Sequence, residues 1–286
     1  MRKSVAGLAV IALCLQACKK EKSFDPDAGD NTGGGTTGTL LTKAVTQLGD
    51  DDSLSVFYGY DGQKRLVSYR YDGVVDGDNF TGETRLVRNT QGIVQNVVTK
   101  SSDLLGLGID SMVYSVHYNT GSSRYTSSVL TFKDAGIIIK DSTAYSYNAG
   151  GKLSQSEEFF DDGVSGGYSK LSKTEYSYDA AGNVTKVKNY GYDDNTALYE
   201  AYDEDVYQYD TKINPVILGN EAFLLGDPLF ASPNNVTKDT YTDLLDASYN
   251  DIVTNVYTYN TNNKPVTATI TYQSEGVPYP VAYTYK

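Results

Sequence analysis

Tyr176-Ser177-Tyr178-Asp179-Ala180-Ala181-Gly182-Asn183-Val184 decides the fold. Residues two apart point to one face of a strand, so Tyr176 and Tyr178 set two rings side by side, in a residue type that favours strands. Asp179 opens a turn by accepting hydrogen bonds from the backbone ahead of it. Gly182 then supplies the positive φ that closes a hairpin, and Val184 begins the outgoing strand.

The unit recurs at Tyr60-Asp61-Gly62, Tyr145-Ser146-Tyr147-Asn148, Tyr207-Gln208-Tyr209-Asp210 and Tyr257-Thr258-Tyr259-Asn260, with weaker copies at Arg88-Asn89 and Tyr118-Asn119. The Asp/Asn column falls at 61, 89, 119, 148, 179, 210 and 260, with gaps of 28, 30, 29, 31, 31 and 50 residues. A period near 30 marks a repeat architecture. Each unit reads as two strands and two turns. The chain is therefore expected to be all-β, an antiparallel up-and-down meander of about fourteen strands in a curved sheet or partly open barrel. Val266, Ala268, Ile270 and Tyr272 alternate with Thr267, Thr269 and Thr271, and Tyr176 and Tyr178 oppose Lys173, Glu175 and Ser177. Faces this polar do not suit lipid, so the barrel is expected not to span a membrane.

Between Asp210 and Asn260 the rhythm breaks. The insertion at 213–240 holds Pro215, Pro228 and Pro233 with Leu218, Phe223, Leu225 and Phe230, and reads as an irregular apolar lid or plug.

At the N-terminus Arg2 and Lys3 precede an apolar run from Val5 to Leu15, far short of the ~20 residues of a membrane span. The division expected is a signal peptide at 1–17, a polar Gly/Thr-rich tether at 18–42 and a repeat body at 43–286. Removing Arg2 and Lys3 takes the formal charge from −12 to −14, a sign that disfavours nucleic acid and anionic lipid surfaces.

Chemistry is sparse. His117 is the one histidine and occupies the column of Ser146, Ser177, Gln208 and Thr258, which faces away from the tyrosines. Asp72, Asp76 and Asp78 could supply oxygens to calcium, but they match no known calcium loop, and solvated turn acids explain them equally. Neither metal nor cofactor is expected. Tyrosine is the notable excess, 26 of 286 residues. Rings near the insertion, Tyr190, Tyr192, Tyr207, Tyr209, Phe223 and Phe230, are the candidate ligand contacts.

Two resemblances add to this. Leu15-Gln16-Ala17-Cys18 resembles the lipobox of bacterial lipoproteins, which implies cleavage before Cys18, acylation of its sulfur and attachment to the membrane through the lipid anchor alone. With Cys18 acylated and Cys14 removed, no thiol is left for a disulfide. The Tyr176–Val184 stretch resembles the YD repeat of Rhs-type proteins. Together with Tyr209-Asp210, Asn214-Pro215 and Ser232-Pro233-Asn234-Asn235-Val236-Thr237-Lys238, it is similar to lipoproteins of the Bacteroidota that carry a porin-like or curved β-sheet domain of unknown function. That resemblance implies an outer-membrane lipoprotein and brings no catalytic residues. The expected function is non-catalytic binding of a glycan, a peptide or an envelope protein. A purely structural envelope protein and a glycan hydrolase are the alternatives.

Overall fold

The computed structural model describes residues 39–49, 52–75, 77–134 and 137–286. The signal peptide, Cys18, Asp76 and most of the tether lie outside the described residues. Sixteen strands follow one another: β1 (Leu41–Gln47), β2 (Ser53–Tyr60), β3 (Leu66–Val75), β4 (Asp78–Arg88), β5 (Val94–Ser101), β6 (Met112–Asn119), β7 (Arg124–Asp134), β8 (Ile137–Tyr147), β9 (Leu153–Asp161), β10 (Ser169–Tyr178), β11 (Val184–Asp193), β12 (Leu198–Ile213), β13 (Asn234–Asp243), β14 (Asp251–Tyr259), β15 (Pro265–Tyr272) and β16 (Pro278–Tyr285). Each is antiparallel to its neighbours, and β1 pairs with both β2 and β16.

The barrel is therefore closed with sixteen strands, where the repeat spacing predicts about fourteen in a curved sheet or partly open barrel. The difference is one hairpin divided between the chain ends. Tyr283 and Tyr285 on β16 form its aromatic pair, while Leu41 on β1 takes the place that Val184 holds after Tyr178. Because the chain ends replace its Asp/Asn turn, no turn signal exposes this last unit in the sequence.

All the Asp/Asn turns lie at one end of the barrel. Their side chains accept the expected backbone hydrogen bonds: Asp179 from the amides of Gly182 (2.7 Å) and Asn183 (2.8 Å), Asp61 from Gln63 (2.9 Å) and Arg65 (3.0 Å), and Asn260 from Asn262 (2.9 Å) and Lys264 (3.1 Å). Three residues after the Asp or Asn, φ turns positive at Gly182 (101°), Gly151 (81°) and Gly92 (85°), and also at Lys64 (63°) and Asn263 (58°). Glycine is the cheapest occupant there, though not an obligatory one.

Every such hairpin carries a β-bulge beside the second member of its aromatic pair. Ser177 pairs with Lys186 but Tyr178 with Val184, leaving Thr185 as the extra residue, and the same slip occurs at Ser146/Tyr147, Gln208/Tyr209 and Thr258/Tyr259. The bulge changes the phase of the outgoing strand, so inward residues are spaced three apart there instead of two. Val184 and Val187, Leu153 and Ser156, and Pro265 and Ala268 accordingly face inward together. Val266, read from the sequence as part of the buried alternation, is instead the bulge residue of its hairpin.

A bulge leaves a carbonyl without its ladder partner, and tyrosine supplies one. Tyr178 donates its hydroxyl to the Leu153 carbonyl (2.7 Å), Tyr147 to that of Tyr125 (2.8 Å), Tyr209 to that of Val184 (2.6 Å) and Tyr285 to that of Pro265 (2.6 Å). Each bond ties one hairpin to the one before it. In β4, Arg88 stands in the tyrosine column and donates to the equivalent carbonyl of Leu66 (3.1 Å).

The outer wall carries charged pairs and threonines within its strands, with single exposed apolar residues such as Val87, Val113, Ile138 and Val256 among them. Lys173 pairs with Glu175 (2.7 Å) and Lys186 with Glu204 (3.1 Å), while Thr267, Thr269 and Thr271 form the outer face of β15. We predict that Tyr178→Phe, which leaves the Leu153 carbonyl unpaired, lowers unfolding free energy by about 1–3 kcal/mol. Tyr192→Phe, on the outer wall, should change it by no more than about 0.5 kcal/mol. Urea unfolding of the two variants measures both.

Candidate functional site

Residues 214–233, between β12 and β13, turn into the barrel mouth at the Asp/Asn end and plug it. The irregular part is shorter than the 213–240 read from the sequence, because Asn234 already starts β13. Two 3-10 helices, Gly219–Leu225 and Pro228–Ala231, present apolar side chains in different directions. Phe223 packs edge-on against Tyr176 (4.7 Å between ring centres) within the cluster of Leu153, Val184, Val187 and Tyr207. Leu225 joins Tyr69, Leu86, Val94 and Tyr125, and Val216 joins Leu41, Leu66 and Tyr285 with Phe230 against them.

Hydrogen bonds latch the plug on opposite sides. Arg88, almost wholly buried, grips Glu221 through both terminal nitrogens (2.6 Å each), and Tyr125 donates to the same carboxylate (3.0 Å). On the far side the buried Ser232 hydroxyl receives the Val184 amide (3.0 Å) and meets the Tyr209 hydroxyl (3.0 Å). Asn214 holds the loop to itself through the Leu229 and Ser232 carbonyls (3.2 and 2.9 Å). Between the plug's outer side and the turns lies a cleft of about 440 Å³ lined in part by Tyr60, Lys64, Arg65, Pro215, Ile217 and Lys264.

Beyond the plug the interior is polar and acidic. Strand alternation turns Asp141, Glu158, Asn189, Asp203, Asp205 and Asp239 inward, on the same faces as Tyr145, Ser156, Val187 and Tyr207. None of the six is fully buried, and Glu158 is exposed. Ser172 donates to Glu158 (2.6 Å), Thr174 to Asn189 (2.8 Å) and Asn189 to Asp203 (2.7 Å). Among the described residues, no Lys or Arg occupies an inward position in this half. Burial, reinforced by the charges of Asp239 and Asp203, pushes Asp205 up to about 8, and burial with the nearby Asp251 pushes Asp239 up to about 6. Asp227, on the inner side of the plug, is raised to about 6 by burial, against the opposing pull of the Leu229 and Phe230 amides.

The six aromatics read from the sequence do not form one surface. Tyr207, Tyr209 and Phe223 share one interior cluster against the plug, and Phe230, also inside, packs with the clusters of Leu225 and Val216. Tyr190 and Tyr192 lie on the outer wall towards the other end, where Lys173 sits 4.0 Å from the Tyr190 ring centre and Lys170 5.5 Å from that of Tyr192. The bulge-free parity of β11 separates them from Val187. His117 faces outward and is exposed, as its column predicts. Asp72 is on the outer wall near Arg70 (3.8 Å), and Asp78 starts β4. Among the described residues no three His, Cys, Asp or Glu side chains are grouped to hold a metal ion.

The inward acids escaped the sequence reading, although the repeat contains the signal. Asp239 stands in the column that holds Ala44, Tyr69, Val97, Ser128, Ser156, Val187 and Ala268 in other units, none of them charged. Aligning outgoing strands with the bulge included, rather than by simple alternation, brings it out.

No family model matches the chain, and no curated protein does. Among solved structures, the fold is similar to that of a porin-like protein from Bacteroides uniformis ATCC 8492, at 14% identity and a TM-score of 0.52, covering 87% of this chain and 99% of that one. A porin-like protein from Bacteroides vulgatus ATCC 8482 is similar at 14% identity and a TM-score of 0.53, with the same coverage. At that identity the likeness concerns the fold alone.

The raised carboxyls fix the sign of a pH effect. An unfolded Asp titrates near ~3.9, so between about pH 4 and 8 the folded chain keeps protons on Asp205 and Asp239 that the unfolded chain has lost. Their contribution to stability therefore falls as pH rises through that window. Thermal unfolding should show Tm declining from pH 5 towards pH 8, with the decline shallower in Asp205→Asn; a Tm that rises over that range contradicts the assignment.

Proposed function

We propose that this chain is a lipid-anchored, non-catalytic protein of the bacterial outer membrane. In this reading its barrel stands in water beside the membrane and holds a glycan or peptide in the open half of its interior. The observation that carries the reading is the cup: a sixteen-strand wall closed at one end by a latched plug and lined beyond it by carboxylates and tyrosines. A barrel this wide is not filled by its own side chains, so the half without the plug keeps room for a guest. Rings such as Tyr114 and Tyr145 offer faces for sugars or aliphatic side chains, and the carboxylates and Asn189 offer acceptors for hydroxyl or ammonium groups. With no inward cation among the described residues of this half, the preferred ligand is neutral or cationic.

Placement in water is supported by the charged pairs on the outer wall, because Lys173, Glu175, Lys186 and Glu204 sit within strands where a membrane barrel carries its apolar band. The anchor is supported by the sequence up to Cys18. Non-catalytic use is supported by His117 lying on the outside of the wall.

Calorimetric titration with neutral glycans, amino sugars and lysine-rich peptides tests the cup. Glu158→Gln and Asp203→Asn should weaken binding of a cationic ligand at least about tenfold each, by loss of a charge-assisted contact. Ligands that bind equally well to these variants, or acidic ligands alone, would overturn the assignment. Cys18→Ser should move the protein from the membrane fraction to the soluble one.

A further inference from the structure

The two ends of the barrel carry opposite charge. At the plug end, Lys64, Arg124, Lys152, Lys212 and Lys264 follow or flank the hairpin turns, and none of the five forms an ion pair among the described residues. Four are held at the rim over aromatic rings: Arg124 on Tyr147, Lys152 on Tyr178, Lys212 on Tyr259 and Lys264 on Tyr285. Of the acids at the same end, Asp61 is paired with Arg65 (2.7 Å) and Glu221 with Arg88 (2.6 Å), while Asp179 and Asp210 keep their charge and accept hydrogen bonds from turn amides, leaving cations in the majority. At the opposite end the loops spanning 48–52, 102–111, 162–168, 194–197, 244–250 and 273–277 contain no Lys or Arg. They do carry acids, among them Asp103, Asp110, Asp162, Asp194, Asp246 and Glu275.

The chain towards Cys18 leaves the barrel at the basic end. Leu40 and Thr39 pair with Lys286 there, and Lys264 donates to the Thr39 carbonyl. Resting on the anchored reading above, we propose that the plug end is a docking face for an anionic lipid surface, so that the barrel stands on its plug with the acidic cup turned away. The tether alone does not impose this, because its 22 residues from Cys18 to Thr39 could reach about 70 Å when extended. Charge does. Strands of eight to eleven residues, such as β9, β10 and β4, hold the acidic loops roughly 30 Å from the basic rim, several times the screening length of about 8 Å in physiological salt. A surface at the plug end therefore feels the local cations rather than the net charge of the chain, and the conclusion drawn from total charge does not apply to this face.

The full acylated protein is labelled with a fluorophore at Ala180→Cys, in a plug-end turn, or at Val164→Cys, in an opposite loop. Each is placed in vesicles of phosphatidylcholine with or without 30% phosphatidylglycerol, with nitroxide-headgroup lipid as quencher. The Ala180 label should be quenched severalfold more than the Val164 label in anionic vesicles. The ratio should fall towards one in neutral vesicles, in high salt, and when Lys64, Lys152 and Lys212 are all changed to Gln. Equal quenching in anionic vesicles, or stronger quenching at Val164, overturns the proposal while leaving the anchor intact. A mass at Cys18 without acyl chains instead removes the anchor. The same protein should then still sediment with anionic but not neutral vesicles at low salt, and failure to do so overturns the docking face.

Discussion

A backbone carbonyl at a β-bulge, turned out of the ladder into the barrel interior, is the constraint around which this barrel is organised. Unpaired, such a group costs about 1–3 kcal/mol, and the bulge recurs in hairpin after hairpin. In four hairpins the second tyrosine of the aromatic pair relieves it from the neighbouring unit, as Tyr178 does for Leu153 and Tyr285 for Pro265, whereas the Val236 carbonyl takes the hydroxyl of Tyr257, Tyr259 bonds Asp210 and the buried Tyr60 hydroxyl has no partner. One residue type therefore packs the inner face and also fastens hairpin to hairpin, which accounts for the Tyr excess over Leu and Ile. The bulges bend the wall and help it to close.

Closure at sixteen strands sets the next problem, since such a wall encloses more volume than its own side chains occupy. The insertion answers it at one end only. Phe223, Leu225 and Val216 each complete a cluster on a different part of the wall, while Arg88–Glu221 on one side and Ser232–Tyr209 on the other keep the plug from swinging. The other end keeps a polar interior in which Asp205 and Asp239 hold protons well above the usual carboxylate range. The apolar packing of the plug is confined to one end, and the far half is lined by polar, partly exposed side chains.

The hairpin unit was legible because its turn chemistry is local: Asp179 and Gly182 act within five residues, and the pattern repeats. Strand number was not, because the hairpin formed by Tyr285 and Leu41 is joined only through the closed sheet. The plug was legible as apolar and irregular, but its position inside the mouth depends on Arg88, a residue that looks in sequence like a degenerate copy of the tyrosine column. Tyr190 and Tyr192 misled because a Tyr-x-Tyr spacing says that two rings share a face without saying which face. Total charge is silent on distribution in a similar way, since its segregation between the two ends appears only once alternate turns are assigned to opposite rims.

Whether the wall meets water or lipid is the point on which the account turns. In isolated envelope fragments, single cysteines at Ser177 and Val256, both exposed on the outer wall, should react with a charged, membrane-impermeant maleimide as fast as a rim cysteine at Ala180. Rim labelling with Ser177 and Val256 protected would mean that lipid covers the wall, and would contradict a barrel standing in water.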